Sequence, residues 1–217
     1  NKNHALREIG QVKMSNLCTE IFQLQETSVI KDYGESDVIK RDISCNLASL
    51  NIVNVMESKK LKESIYSGMD ALTFVSDSTK IKNAPGVVKA NEEFHSVGLG
   101  AMNLNGYLAK NLIAYDSEEA KDFANVFFMI MNYYTIERSM QIAKERKETF
   151  KDFEKSDYYN GTYFTKYITN DYLPKSDKVK ELFEGIYIPT KEDWHSLKNR
   201  VKENGLYHAY RMAIAPT

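Results

Sequence analysis

An amide, a thiol and a carboxylate stand at alternate positions near the start of the chain, in Asn16, Cys18 and Glu20, and a second thiol follows at Cys45. These are the only 2 cysteines among 217 residues. What they could do depends on the backbone. In an extended or looped segment, alternate side chains point the same way, roughly 7 Å apart, so the three groups would converge on one small ligand. On a helix, Leu17, Ile21 and Leu24 fall at i, i+4 and i+7. Asn16 and Glu20 then share a face, while Cys18 lies about 200° round from Asn16 and packs as a small hydrophobe. The residue pattern leaves both readings open. Without CxxC spacing, the two cysteines suit neither a disulfide scaffold nor a four-ligand zinc site.

The elements that must position these groups read as alternating strands and helices. A turn is expected at Asp32-Tyr33-Gly34, leading to a strand over about 42–53 with Ile43, Cys45 and Leu47 on one face. Leu61, Ile65, Met69 and Leu72 have helical spacing within 57–78, and Asn83-Ala84-Pro85-Gly86 reads as a turn or helix stop. The longest helix is expected over 117–148. Asp116 would cap it, with Glu119 three residues on. Its buried stripe would be Ala120, Phe123, Ala124, Phe127, Ile130, Met131 and Tyr134. Thr190 is expected to cap a helix over 191–204, with Asp193 at its third position and Gly205 as its stop. Residues 207–217 alternate as a strand running into a loop, Tyr210, Met212 and Ile214 against Arg211, Ala213 and Ala215. This order argues for an α/β fold with mainly parallel strands.

Composition narrows the function classes. A formal charge of -1, with 42% hydrophobic and 27% charged residues, gives no electrostatic footprint for nucleic acid or an anionic membrane. No apolar run approaches the roughly 20 residues of a membrane span, and the start has no signal-peptide pattern. Asn160-Gly161-Thr162 matches a glycosylation sequon but reads better as a turn. Gly98-Leu99-Gly100-Ala101-Met102-Asn103 lacks the third glycine of a dinucleotide fingerprint. His4, His95, His195 and His208 fall in no metal-ligand pattern.

Four segments, taken together, carry a resemblance. Met14-Ser15-Asn16-Leu17-Cys18-Thr19-Glu20-Ile21 resembles the finger-loop segment of the large subunit of class I ribonucleotide reductases, the class Ib branch above all. Asp42-Ile43-Ser44-Cys45-Asn46-Leu47-Ala48-Ser49-Leu50-Asn51-Ile52 resembles the next barrel strand. His95-Ser96-Val97-Gly98-Leu99-Gly100-Ala101-Met102-Asn103-Leu104 resembles a further segment, and Tyr210-Arg211-Met212-Ala213-Ile214-Ala215-Pro216-Thr217 a fourth. They stand in family order at family-like spacing, so the resemblance covers essentially the whole chain.

The resemblance implies a chemistry for each residue. Cys18 would be the thiyl-radical site that abstracts the ribose 3′ hydrogen. Glu20 would be the general base for the 3′-hydroxyl proton, and Asn16 would hold the reacting hydroxyls in place. Cys45 would be one of two thiols that reduce the sugar; in the family its partner comes from an earlier strand, upstream of residue 1, and is not Cys18. Substrate contacts would come from Ser15, Asn16, Leu47, Pro216 and Thr217, the last two opening the loop that binds the substrate diphosphate.

The implied fold is a ten-stranded α/β barrel of two antiparallel five-stranded halves, with the radical cysteine on a loop threading its centre. Residues 1–217 would form a single partial domain, truncated at both ends, holding that loop and much of the second half-barrel. Its open edges would require the remaining segments of the alpha subunit. The implied partners are a radical-generating beta subunit that holds the metal, a thioredoxin- or glutaredoxin-like dithiol and a ribonucleoside diphosphate. No cofactor or metal bound directly, no nucleic acid and no membrane are implied, and the setting is cytoplasmic. Two other readings compete: a non-catalytic barrel remnant that only packs against partner segments, and a two-cysteine α/β domain with residues 16–24 helical.

Overall fold

The computed structural model describes residues 4–31 and 36–216. The expected turn at Asp32-Tyr33-Gly34 and the substrate contact at Thr217 lie outside the described residues. Two parallel strands form the centre, β1 (Leu47–Asn51) and β2 (Gly98–Met102), in the register Leu47↔Gly98 through Asn51↔Met102. On the free edge of β2 the chain returns as an extended segment. Val97 and Leu99 donate their N–H groups to Tyr210 and Arg211 carbonyls at 3.0 and 2.9 Å, and Ala213 donates to the Leu99 carbonyl at 3.3 Å. A parallel bridge pairs Leu99 with Met212. Among the described residues this mixed helix and sheet arrangement puts three extended segments side by side, with β2 in the middle.

Close approach of those segments explains the two glycines of β2. A Cβ on Gly98 would meet Leu47 Cδ2 at 2.5 Å and Ala213 Cβ at 2.9 Å, and one on Gly100 would meet the Ala213 carbonyl oxygen at 2.3 Å. The glycines therefore serve strand packing, which accounts for the incomplete fingerprint.

Between β1 and β2 run α1 (Ile52–Ser58), α2 (Leu61–Ser78) and α3 (Pro85–Phe94). After β2 come α4 (Leu104–Lys110), α5 (Glu118–Arg146), three short helices α6 (Asp157–Asn160), α7 (Thr165–Thr169) and α8 (Asp177–Leu182), and α9 (Lys191–Asn204). Long helical crossovers between adjacent parallel strands are what parallel pairing requires. The core centres on α5, where Phe123, Phe127, Ile130, Met131 and Tyr134 are buried as the spacing predicts, while Ala124 is only half-buried. Trp194 of α9 locks onto it, edge-on to Tyr133 at 5.1 Å and stacked on Tyr167 at 4.0 Å.

Several boundaries differ from expectation, each for a local reason. The strand over 42–53 is shorter because Asn51 turns its side chain to accept from Val53 N–H and starts α1. The helix over 57–78 is two helices, since Lys59 adopts φ 57° and ends α1. Residues 83–86 form a helix start, with Pro85 in the first helical turn, where its missing N–H costs nothing. The cap of α5 is Ser117, whose hydroxyl accepts from Ala120 N–H at 3.1 Å, and not Asp116. The α9 capping box, Thr190 with Asp193, is present as expected, with Gly205 at its end. Gly161, at φ 84°, ends α6 after Asn160, as a turn there requires. No described helix is long and apolar enough to cross a membrane.

Candidate active site

Residues 16–24 are not helical. Asn16 folds its own segment into a loop: its carbonyl accepts from Thr19 N–H at 3.1 Å, and its Oδ1 accepts from Ile21 N–H at 3.0 Å. Thr19 sits at φ 65°, a left-handed conformation that a β-branched residue rarely adopts. Leu17 is 98% exposed while Ile21 and Leu24 are buried, so the apolar stripe of the helical reading does not form. Cys18 stands exposed at the tip as a free thiol.

The loop is clamped where it returns to the sheet. Gln23 donates through Nε2 to the Ser44 carbonyl at 2.7 Å and accepts through Oε1 from Ser44 N–H at 3.2 Å. Leu24 N–H donates to the Tyr210 hydroxyl at 3.0 Å. Arg41 adds a bond from Nε to the Leu24 carbonyl at 3.3 Å and an ion pair from Nη1 to Glu93 at 2.6 Å. Asn46 then carries the chain into β1, its Nδ2 bonded to Ser44 Oγ at 2.9 Å and its carbonyl accepting from Gly98 N–H at 2.8 Å. The Gln23–Ser44 clamp thus brings the Cys18 loop alongside the Cys45 segment.

Electrostatics reports the same proximity. Cys45 is exposed, yet partial burial of its thiol pushes it above its ordinary range, and the Glu20 carboxylate and the Cys18 thiol each push it further. Both cysteines are reduced, with no disulfide between them. The clamp and these interactions bring Cys18, Glu20 and Cys45 within electrostatic reach of one another. Asn16 departs from the expected convergence, because its Oδ1 is engaged by the loop backbone and only its Nδ2 remains to face a ligand. Ser15 and Leu47 are half-buried and Pro216 is exposed at the far end of the extended segment.

Glu20 also faces inward. Its Oε2 is buried with no hydrogen-bond partner, and it lines a cavity of about 350 Å³. Arg211, Tyr158, Tyr163 and Asn132 line the same cavity. Asn132, Tyr158 and Tyr163 were marked by no motif, and Arg211 stood within the fourth resembling segment with no role of its own. Among the described residues no group of three or more His, Cys, Asp or Glu is placed to hold a metal ion.

The model of the ribonucleotide reductase barrel domain matches residues 1–217. The chain belongs to the ribonucleotide reductase barrel-domain family. Ribonucleoside-diphosphate reductase subunit alpha of Bacillus subtilis (strain 168) is 55% identical over 217 residues, covering 100% of this chain and 31% of that protein. The nrdEB subunit alpha of Bacillus phage SPbeta is 52% identical over 200 residues, 92% of this chain and 18% of the relative. The subunit alpha of Mycoplasma pneumoniae is 41% identical over 214 residues, 96% of this chain and 30% of the relative. This reductase barrel segment thus spans less than a third of the length of these relatives.

Proposed function

We propose that the chain supplies the radical-site loop and the adjoining strands of a ribonucleoside-diphosphate reductase alpha subunit, which converts ribonucleotides to deoxyribonucleotides for DNA synthesis. The observation that carries this reading is the grouping of Cys18, Glu20 and Cys45, held by the Gln23–Ser44 clamp, in a chain of this family. Cys18, as a thiyl radical, takes the hydrogen atom from ribose C3′ and becomes a thiol. Glu20 accepts the 3′-hydroxyl proton, for which its unpartnered Oε2 is suited. Asn16, through its amide N–H groups, orients the sugar together with Ser15 and Leu47. Cys45 donates reducing equivalents with a second thiol from outside this chain, and a water molecule leaves. Pro216 and Thr217 open the diphosphate-binding loop.

The three parallel extended segments are read as part of a ten-stranded α/β barrel, completed by the remaining alpha-subunit segments. A metal-containing beta subunit delivers the radical to Cys18, and a thioredoxin- or glutaredoxin-like dithiol re-reduces the Cys45 pair. A cytoplasmic setting suits this reading, since its reducing conditions keep Cys18 and the resting Cys45 pair as thiols between turnovers. The test is deoxyribonucleotide formation by the chain assembled with its complementary segments, the radical subunit and a dithiol. Turnover that requires Cys18, Glu20 and Cys45 supports the reading. Assembly without turnover makes the chain a packing remnant.

A further inference from the structure

Gln23 does with its side chain what a strand does with its backbone. The limbs that carry the two cysteines pair as an antiparallel ribbon. Val29 and Val38 form a bridge, exchanging bonds of 3.0 and 2.9 Å, and Glu26 N–H donates to the Arg41 carbonyl at 2.8 Å. Continued in the same register, the ribbon sets Gln23 opposite Ser44. There the rung is made by the carboxamide, which donates to the Ser44 carbonyl at 2.7 Å and accepts from Ser44 N–H at 3.2 Å. A carboxamide carries the donor and the acceptor of a peptide group, so one side chain satisfies both backbone groups of Ser44. Gln23 and Ser44 are both buried, which shields the rung from water.

The neighbouring anchors do not depend on this rung. Leu24 N–H goes to the Tyr210 hydroxyl, and the Leu24 carbonyl takes Arg41 Nε. The loop therefore keeps these attachments when the carboxamide is changed, and what is lost is its alignment with Ser44. Among the described residues, the Gln23–Ser44 rung is the hydrogen-bonded link between the two limbs that lies nearest in sequence to Cys18 and Cys45. Ser44 directly precedes Cys45, and Glu20 stands three residues before Gln23.

We propose that Gln23 is a positioning residue: its carboxamide sets the register between the Cys18 loop and the Cys45 segment, and so decides whether a sugar radical formed at the first is reduced at the second. The proposal rests on the functional reading above and names the residue that couples its two halves. A sugar radical made by Cys18 has two fates. In reduction, Cys45 and its partner thiol supply two electrons and two protons and become a disulfide, as the 2′-hydroxyl leaves as water. With Cys45 out of register, the unreduced sugar decomposes and releases its base.

The test reads free base released per deoxyribonucleotide formed in the assembled enzyme, for wild type, Gln23→Met and Gln23→Glu. Gln23→Met fills the space without donor or acceptor and raises that ratio about tenfold, as misplacing a reacting group does. Gln23→Glu matches Gln23→Met at about pH 8, where a carboxylate turns a lone pair towards the Ser44 carbonyl. Near about pH 6 its ratio falls back towards wild type, because burial favours the neutral acid, whose O–H donates to that carbonyl. Glu20, His4, Tyr210 and Arg211 share the cavity wall with Gln23, and Arg41 reaches Leu24, so each ratio is taken against wild type at the same pH. A ratio that Gln23→Met leaves unchanged, or a Gln23→Glu ratio that is the same at both pH values, overturns the proposal. A second readout needs no turnover. In the chain alone, Gln23→Met lets iodoacetamide label Cys45 roughly threefold faster, because Glu20 and Cys18 no longer raise that thiol, and adding Glu20→Gln then changes nothing. Labelling that Gln23→Met does not alter also overturns the proposal. Failure of the functional reading is scored separately, by the absence of Cys18-dependent turnover in wild type.

Discussion

Replacing Arg41 by methionine removes the cation that ties the Cys18 loop to α3 while keeping a side chain of similar reach. Arg41 is 6% exposed, and four contacts disappear with its guanidinium, the weakest a 3.7 Å ion pair with the exposed Glu26 carboxylate. The first is the 2.6 Å bond from Nη1 to Glu93, a charge-assisted bond worth ~1.5–3 kcal/mol. The second is the 3.3 Å bond to the Leu24 carbonyl, worth ~1 kcal/mol. The third is the stacking of the guanidinium 3.9 Å from the centre of the Phe94 ring, worth ~0.5–1 kcal/mol. Against this, Glu93 keeps Lys89 at 3.0 Å and Lys151 at 2.8 Å, and methionine avoids the desolvation of a cation. The net loss should be about 2–3 kcal/mol. With a urea m-value of ~2 kcal/mol/M, the midpoint falls by roughly 1–1.5 M.

The pH dependence of that loss follows from Glu93. Burial alone would raise its pKa, but hydrogen bonds from Lys151, Lys89 and Arg41 outweigh burial and hold it at about 2, against an ordinary 4.5. A depressed carboxylate contributes stability above its unfolded pKa and loses it as pH falls towards the folded one. The difference between wild type and Arg41→Met should therefore be full at pH 7 and shrink between pH 4.5 and 2. Urea titrations across that range measure it. A midpoint shift equivalent to less than about 0.5 kcal/mol, or a difference independent of pH, would refute the reasoning.

Two further outcomes are expected. Because Glu20 and Cys18 raise the Cys45 thiol beyond what burial does, Glu20→Gln should lower that thiol's pKa, so that iodoacetamide labels Cys45 faster at neutral pH; mass spectrometry of the labelled peptide reads the rate, and an unchanged rate would separate the two groups. At the start of α5, Ser117→Ala should cost about 1 kcal/mol in urea unfolding and Asp116→Ala much less, since the Ser117 hydroxyl makes the cap; the reverse order would restore Asp116.

What could be read from the chain alone divides by the range of the interactions. The α9 capping box was legible because Thr190, Asp193 and Gly205 act within one or two turns. The cap of α5 was not, since Asp116 and Ser117 are adjacent and both chemically able to cap. The glycines of β2 gave an ambiguous signal, and only the approach of Leu47 and Ala213 from distant parts of the chain explains them. At the site, Cys18, Glu20 and Cys45 were recognisable as a motif. The partial diversion of Asn16 into the loop was not, because it depends on the backbone turn at Thr19. Arg211 escaped notice because its surroundings, Asn132 and Tyr158, lie 79 and 53 residues earlier, and an arginine in a strand pattern normally faces water. The ten-stranded barrel needs strands beyond the three extended segments described.

In the proposed function Cys18 initiates the chemistry and Cys45 reduces the sugar. The most direct measurement is deoxyribonucleotide formation from a ribonucleoside diphosphate in the assembled enzyme, with wild type, Cys18→Ser and Cys45→Ser compared in single-turnover and multiple-turnover assays. Cys18→Ser should abolish product and leave the substrate's 3′ hydrogen untouched. Cys45→Ser should still permit 3′-hydrogen abstraction, seen as exchange or substrate decomposition, without normal product. Product formation by Cys18→Ser, at any rate above that of the mixture lacking the chain, would contradict it.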